Sequence, residues 1–233
     1  MIVRQIEDRL DVAVPADAHT LEGFRRWVES PDFPEQGRIS LIQGEVLIDM
    51  SPERIDSHNQ VKGEINNVID PLVKSLRLGR YYPDGALFTN DTAGLGNEPD
   101  AAFASWETLK SGRLVKVTKK EGERDSIELR GTPDWVVEIV SRSSVRKDTQ
   151  LLVETYYRAG VDEYWLIDAR FDPLRFAIFA RGESAYEPAP DQDGWLTSSV
   201  FRRQFRFEHE EDELGDWLLN LHVREIPNPP AAP

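Results

Sequence analysis

Apolar residues recur at spacings of three and four from Val61 through Ile65, Val68 and Leu72 to Leu76, the stripe of a helix with one buried face. The pattern predicts a long helix over 55–76, ended by Gly79; Pro71 lies inside the stripe and should kink or interrupt it. Upstream, Thr20 can cap a short helix to Ser30 with Leu21, Phe24, Trp27 and Val28 on one face, and Pro31 and Pro34 stop it. Two apolar-rich runs, 38–42 and 45–50, joined across Gln43-Gly44, read as a hairpin closed by Ser51-Pro52. Short strands are expected at 80–82, 86–89 and 100–104, with a Gly-containing turn over 91–97 between the last two. A polar hairpin should follow, with strands at 113–117 and 126–129.

The strongest strand is 134–140, nearly all apolar, as a central strand covered on both faces would be. Ser143 or Ser144 can cap the next helix, which runs to Ala159 with Leu151, Leu152, Thr155, Tyr156 and Ala159 inward, and Gly160 terminates it. Another buried strand, 163–167, comes next. A helix between two buried strands implies a crossover with parallel or mixed pairing. Beyond Asp168 the pattern gives strands at 175–180, 184–187 and 196–207, a last helix at 213–219 and a Pro-rich tail. The whole reads as one α/β (α+β) domain over 18–225, with an N-terminal arm at 1–17 and a disordered tail at 226–233.

Composition narrows the function. The absence of cysteine excludes disulfides and thiolate metal sites. No apolar run approaches the ~20 residues needed to span a membrane, and the N-terminus lacks a signal-peptide pattern, so a cytoplasmic location is expected. The net charge of −14 opposes contact with a phosphate backbone, so a local basic patch or bound cations would have to compensate.

The sharpest anomaly is Glu138, set between Val136-Val137 and Ile139-Val140 in the central strand. A buried carboxylate is costly unless it is paired or coordinates a metal. A salt bridge to a core arginine is the alternative. Asp100 opens an apolar strand in Glu98-Pro99-Asp100-Ala101, and two neighbouring strands offering carboxylates make a hard-oxygen site suited to Mg²⁺ or Mn²⁺. Asp134 falls on the same face as Glu138 but roughly 13 Å away along the strand, so it reads as a strand-entry residue. Just past Glu138 stand Arg142, Arg146 and Lys147, at a helix start where free N–H groups also attract anions. They could contact phosphate, or be a solvated helix end paired with local acids such as Asp148.

Several segments together resemble the Uma-two family of bacterial restriction endonucleases, in the PD-(D/E)XK nuclease superfamily. They are Pro99-Asp100, Pro133-Asp134-Trp135-Val136-Val137-Glu138-Ile139-Val140-Ser141, Arg146-Lys147-Asp148, and Tyr156 with the run Ala159 to Asp168. Gln43-Gly44-Glu45-Val46, Ser51-Pro52 and His58 look like the same family's N-terminal signature. The resemblance covers Leu21 to Phe207 and implies a restriction-endonuclease-like core with a mixed central sheet. It makes Asp100 and Glu138 the motif acids that bind the metal. The chain departs from the superfamily pattern at the lysine, because Val140 stands two residues after the acid. Relatives supply the charge from the following helix, at a position that aligns with Leu152; Lys147, one turn earlier, is the nearest replacement.

Glu45 could add a metal ligand or a base, or be a turn acid. His58 could act as a base or phosphate donor, or be a helix histidine with a structural hydrogen bond. Tyr164 and Trp165 read as core. The cluster Glu208 to Glu213 reads as a solvated helix entry. The leading expectation is a Mg²⁺- or Mn²⁺-dependent endonuclease acting on nucleic acid, most simply DNA. The alternative is an inactive nuclease-fold binding or assembly module, consistent with the displaced lysine and the acidic charge. A metal hydrolase of smaller phosphoesters is a third reading. A homodimer would let two sites cut two strands, though nothing in the sequence requires one.

Overall fold

The computed structural model describes residues 12–119 and 123–227. Residues 1–11 of the expected arm and 228–233 of the expected tail lie outside the described residues. The elements run α1 (Leu21–Val28), β1 (Arg38–Ile42), β2 (Glu45–Asp49), α2 (Gln60–Ser75), β3 (Gly79–Pro83), β4 (Phe88–Asn90), β5 (Leu95–Asn97), β6 (Ala101–Ser105), α3 (Trp106–Ser111), β7 (Leu114–Thr118) and β8 (Ser126–Gly131). They continue with β9 (Trp135–Ile139), α4 (Leu152–Ala159), β10 (Glu163–Asp168), β11 (Arg175–Arg181), β12 (Tyr186–Pro188), β13 (Asp191–Gln192), β14 (Trp195–Ser198), β15 (Arg203–Glu211) and β16 (Trp217–Glu225).

The central sheet has the order β12-β11-β10-β9-β6-β3 and is mixed. β9 and β10 pair in parallel across the α4 crossover, while β6 and β11 run antiparallel to them. Strand alternation gives β9 two faces. Trp135, Val137 and Ile139 pack with Val61, Ile65, Ile69 and Val73 of α2 and with Phe201 and Phe205. Val136, one step out of phase, packs with Leu152, Tyr156 and Ala159 of α4 and with Phe88 and Leu95. Glu138 shares the parity of Val136, so it turns toward α4. That second face is roofed by another sheet, β2-β1-β5-β4-β8-β7, and a four-stranded sheet, β13-β14-β15-β16, packs beyond α2.

Both long helical segments begin with a π-helical turn. Ile55–Asn59 leads into α2, and Lys147–Leu151 leads into α4. Such turns widen the helix by one residue and recur at functional sites. α2 runs on across Pro71, where the sequence pattern led us to expect a kink or break.

Three expectations are corrected. The helix expected at 213–219 is absent. Asp212 to Gly215 forms a turn, Gly215 takes φ +82°, and β16 pairs along its length with β15. Glu208, Glu210 and Glu211 accordingly close a strand and do not enter a helix. The run 196–207 breaks into β14 and β15 around a turn at 199–202. The stretch 91–97 is a turn only to Gly94, after which Leu95–Asn97 form β5. That short strand matters to the site.

Candidate active site

Ala101 pairs with Val137 across β6 and β9, so Asp100 and Glu138 emerge side by side at one end of the central sheet. The Ile139 N–H donates to Asp100 Oδ2 at 2.7 Å, fixing that carboxylate to the neighbouring strand. Both acids are buried, Asp100 at 6% and Glu138 at 2% exposure. Glu138 Oε1 accepts from the Tyr156 hydroxyl at 2.5 Å and from Asn97 Nδ2 at 2.9 Å. Ser40 of β1 donates to Asn97 Oδ1 at 2.6 Å, which orients the amide. The other oxygen, Oε2, faces Lys147 Nζ at 3.5 Å.

Lys147 reaches this position because it opens the π-helical turn before α4. Its ammonium also lies 3.2 Å from Asp148 Oδ1, while Asp148 Oδ2 accepts from Ser144 Oγ. Burial pushes the Glu138 carboxyl up to about 8; Lys147 opposes the shift, and the charges of Asp148 and Asp100 reinforce it. Burial likewise raises Asp148. Burial opposes the charge on Lys147, but Glu138, Asp148 and Asp100 outweigh it and hold the ammonium charged. One ammonium thus faces two carboxyls, each held above its ordinary range by burial.

Asp100 Oδ1 faces three basic side chains, two of them cationic. His58 Nε2 lies at 3.5 Å, Lys62 Nζ at 3.7 Å and an Arg38 guanidinium nitrogen at 3.8 Å. Glu53 binds both Arg38 and Lys62, and Asp84 Oδ2 takes Lys62 at 2.6 Å. Burial lowers the pKa of His58, with Arg38 and Lys62 adding to the shift, so its imidazole is neutral at pH 7.

The sequence candidates therefore fall into two groups. Asp100, Glu138, Lys147 and His58 converge. Glu45 is exposed on the rim, its described side-chain partner being Arg146 at 3.3 Å, and Arg142 is exposed on the facing loop. Leu152 is fully buried in the α4 face. Sequence reasoning missed Asn97, Arg38, Lys62 and the part played by Tyr156 and Asp148. Tyr156 falls on the inner face of its helix and so reads as core, whereas Lys62 lies beside the apolar stripe of α2 and gives no signal of its own.

A divalent cation fits this donor set. Mg²⁺ keeps several waters and is commonly held by one or two carboxylates, which Asp100 and Glu138 supply as adjacent hard-oxygen donors. Among the described residues no set of three His, Asp or Glu side chains forms a complete cage. Beside this centre lies a cleft of three cavities that share lining residues, bordered by Lys147 or His58 and not by Asp100 or Glu138 themselves. One of about 240 Å³ runs between β2 and Lys147 and Arg146, one of about 440 Å³ adjoins Arg38 and His58, and one of about 770 Å³ extends to Trp217. The rim thus concentrates Arg38, Arg54, Arg142 and Arg146 on a chain of net charge −14.

A mixed sheet flanked by helices, with two adjacent buried acids at one end and a lysine reaching them from the turn before the next helix, has the architecture of a restriction-endonuclease-like fold. The chain belongs to the Uma2 family, whose description is "Putative restriction endonuclease"; the family model matches residues 21–209. A solved structure from Anabaena variabilis ATCC 29413, described as "a putative nuclease belonging to DUF820", is 20% identical. It superposes with a TM-score of 0.57, covering 78% of this chain and 90% of that one, a likeness that speaks for the fold. No curated protein matches. No helix among the described residues is long and apolar enough to cross a membrane.

Proposed function

We propose that this protein is a metal-dependent endonuclease that hydrolyses phosphodiester bonds in DNA. The observation that carries the reading is the placement of Lys147 Nζ 3.5 Å from Glu138 Oε2, beside Asp100 on the adjoining strand. The charge that the superfamily places on the strand is here supplied from the helix. Mg²⁺ or Mn²⁺ held by Asp100 and Glu138 would polarise the phosphodiester and generate a hydroxide nucleophile. Lys147 neutralises Glu138 and presents an ammonium at the cleft wall, where it can orient the attacking water or stabilise charge developing on the phosphate. Asn97 and Tyr156 hold one Glu138 oxygen, leaving the other toward Lys147. His58, buried against Asp100, positions that carboxylate. Arg142 and Arg146 are the phosphate contacts of the rim. Hydrolysis would be a direct in-line attack by water, without a covalent intermediate.

The test is cleavage of plasmid and single-stranded DNA in Mg²⁺ or Mn²⁺, with Glu138→Ala and Lys147→Met purified in parallel. Metal-dependent cutting by the wild type, lost in Glu138→Ala and reduced at least ~100-fold in Lys147→Met, is expected from loss of charge stabilisation at the phosphate. Equal cutting by all three would mark a contaminant. No cutting by the wild type across metals and salt would leave the inactive-scaffold reading.

A further inference from the structure

The largest cavity of the cleft, about 770 Å³, extends away from the reacting centre and is not needed to hold the metal or Lys147. Its two sides contribute Arg54, four residues before His58, and Arg142, four residues after Glu138. Both are exposed, and neither guanidinium has a side-chain partner among the described residues. Other cleft arginines are engaged: Arg38 with Glu53, Arg146 with Glu45, and Arg170 with Asp168 at 2.7 Å. At the lip stands Ile55, 70% exposed, and at the far end Trp217, its ring stacked on His209 at 4.1 Å. Two unpaired guanidiniums next to an apolar side chain and an ordered indole match the chemistry of phosphates followed by a base.

We propose that this cavity binds an unpaired nucleotide next to the cut, with its phosphates on Arg54 and Arg142 and its base against Ile55 and Trp217. The proposal rests on the nuclease reading above and narrows its substrate to DNA with a single-stranded stretch beside the scissile bond. The volume falls within the ~300–1,000 Å³ of small-molecule-sized sites, enough for a nucleotide rather than a duplex. Charge argues the same way. A duplex laid across the protein would meet a surface of net −14, and because Glu53, Asp56 and Asp216 also line this cavity it accepts only the few phosphates beside Arg54 and Arg142. A strand that enters by its unpaired end needs only a few phosphate contacts, and sequence-tolerant stacking supplies the rest.

The experiment measures anisotropy of fluorescein-labelled oligonucleotides with Glu138→Gln, which cannot cut, comparing a blunt duplex with the same duplex bearing a single-stranded overhang. The overhang should bind about ten-fold more tightly, the effect of a lost phosphate or stacking contact. Adding Arg54→Ala and Arg142→Ala should remove that preference and lower the slope of log K against log salt by about 0.7 for each arginine. Arg158→Ala, an exposed arginine at the far end of α4, removes the same charge as a control and should leave the slope in place. Ile55→Ser, at a site too exposed to threaten folding, should weaken the overhang without changing the slope. Equal affinity for blunt and overhang DNA, or a slope untouched by the double substitution, overturns the proposal. Wild-type cleavage in Mn²⁺ is scored separately. Cutting without overhang preference rejects this inference and keeps the nuclease, whereas overhang preference without cutting does the reverse.

Discussion

Two glutamates lie buried in adjacent strands of one sheet, and their surroundings separate their roles. Glu163 on β10 is fully satisfied by uncharged donors: Ser198 Oγ and Trp165 Nε1 at 2.6 Å, the Ser199 N–H at 2.8 Å, the Ser199 hydroxyl at 3.0 Å and the Val200 N–H at 3.3 Å. It ties β14 to the central sheet, as a structural carboxylate does. Glu138 has two neutral donors on one oxygen and a lysine facing the other. Glu163→Gln should therefore destabilise the fold by ~1–3 kcal/mol, the cost of unmaking buried hydrogen bonds, and leave cleavage per folded molecule intact. Glu138→Gln should abolish cleavage with little loss of stability at pH 7; loss of activity in the first variant, or its retention in the second, would reverse the assignment. The raised carboxyl of Glu138 also sets a pH dependence. An acid whose folded pKa stands above its ordinary 4.5 holds a proton in the native state. Metal-free stability from this group is thus full below about 4.5 and is lost as pH rises toward about 8. Urea unfolding in chelator should show that decline, flattened in Glu138→Gln; parallel profiles for the two proteins would sink the idea. In the sequence, Glu138 stood out because a charge interrupts an apolar run. Lys147 first showed as part of the basic run after β9 and gained its particular role through the missing strand lysine, and Asn97 gave no signal at all, since its role depends on Ser40 and Tyr156 brought from elsewhere.

At the scale of elements, the segments read correctly from sequence are those whose period is long or whose context is uniform. The α2 stripe, the Gln43-Gly44 hairpin and the apolar runs of β9 and β10 each state their own structure. β5 does not, because three residues after a glycine turn carry no period. It exists because Leu95 and Gly96 pair with Ile42 and Leu41 of β1 on one side and with Asn90 and Thr89 of β4 on the other. The C-terminal error has the same origin. Leu214, Trp217, Leu218 and Leu221 are spaced as a helix, while Trp217, Leu219 and Leu221 alternate as a strand, and pairing with β15 decides between them. Since β5 delivers Asn97, its seat should matter to chemistry. A Cβ added at Gly96 would lie 2.7 Å from the ring of Phe24, so α1 packs directly on the strand backbone. Gly96→Ala should cost ~1–3 kcal/mol through overpacking. It should also depress cleavage beyond the loss of folded protein, because the strand that moves carries the Glu138 donor. A variant equally destabilised but fully active per folded molecule would show that Asn97 is dispensable.

For the whole molecule, the site is a junction. Ser40 and Asn97 come from one sheet, Asp100 and Glu138 from the other, His58 and Lys62 from the start of α2, and Lys147, Asp148 and Tyr156 from the segment ending in α4. Without a bound cation this junction holds acids whose charges repel across buried strands, and Lys147, Lys62 and Arg38 offset them only in part. A divalent cation that binds the folded junction and not the unfolded chain must stabilise the entire fold by linkage. At a hundred times its dissociation constant the gain is about 2.7 kcal/mol, which for a domain of this size raises Tm by about 5–10 °C. Binding should also expel close to one proton at pH 7, because the metal requires Glu138 ionised. The net charge of −14 supplies a competing explanation, since diffuse divalent binding to an acidic surface also stabilises. Asp100→Asn and Glu138→Gln separate the two. Asp100→Asn removes a single charge out of many and Glu138→Gln close to none at pH 7, so diffuse binding survives both substitutions, whereas site binding survives neither. A Tm rise in Mn²⁺ that vanishes in both variants, accompanied by buffer-dependent calorimetric heats in the wild type alone, places the cation at the junction. A rise that persists in the variants would mean that the acids of β6 and β9 do not hold it.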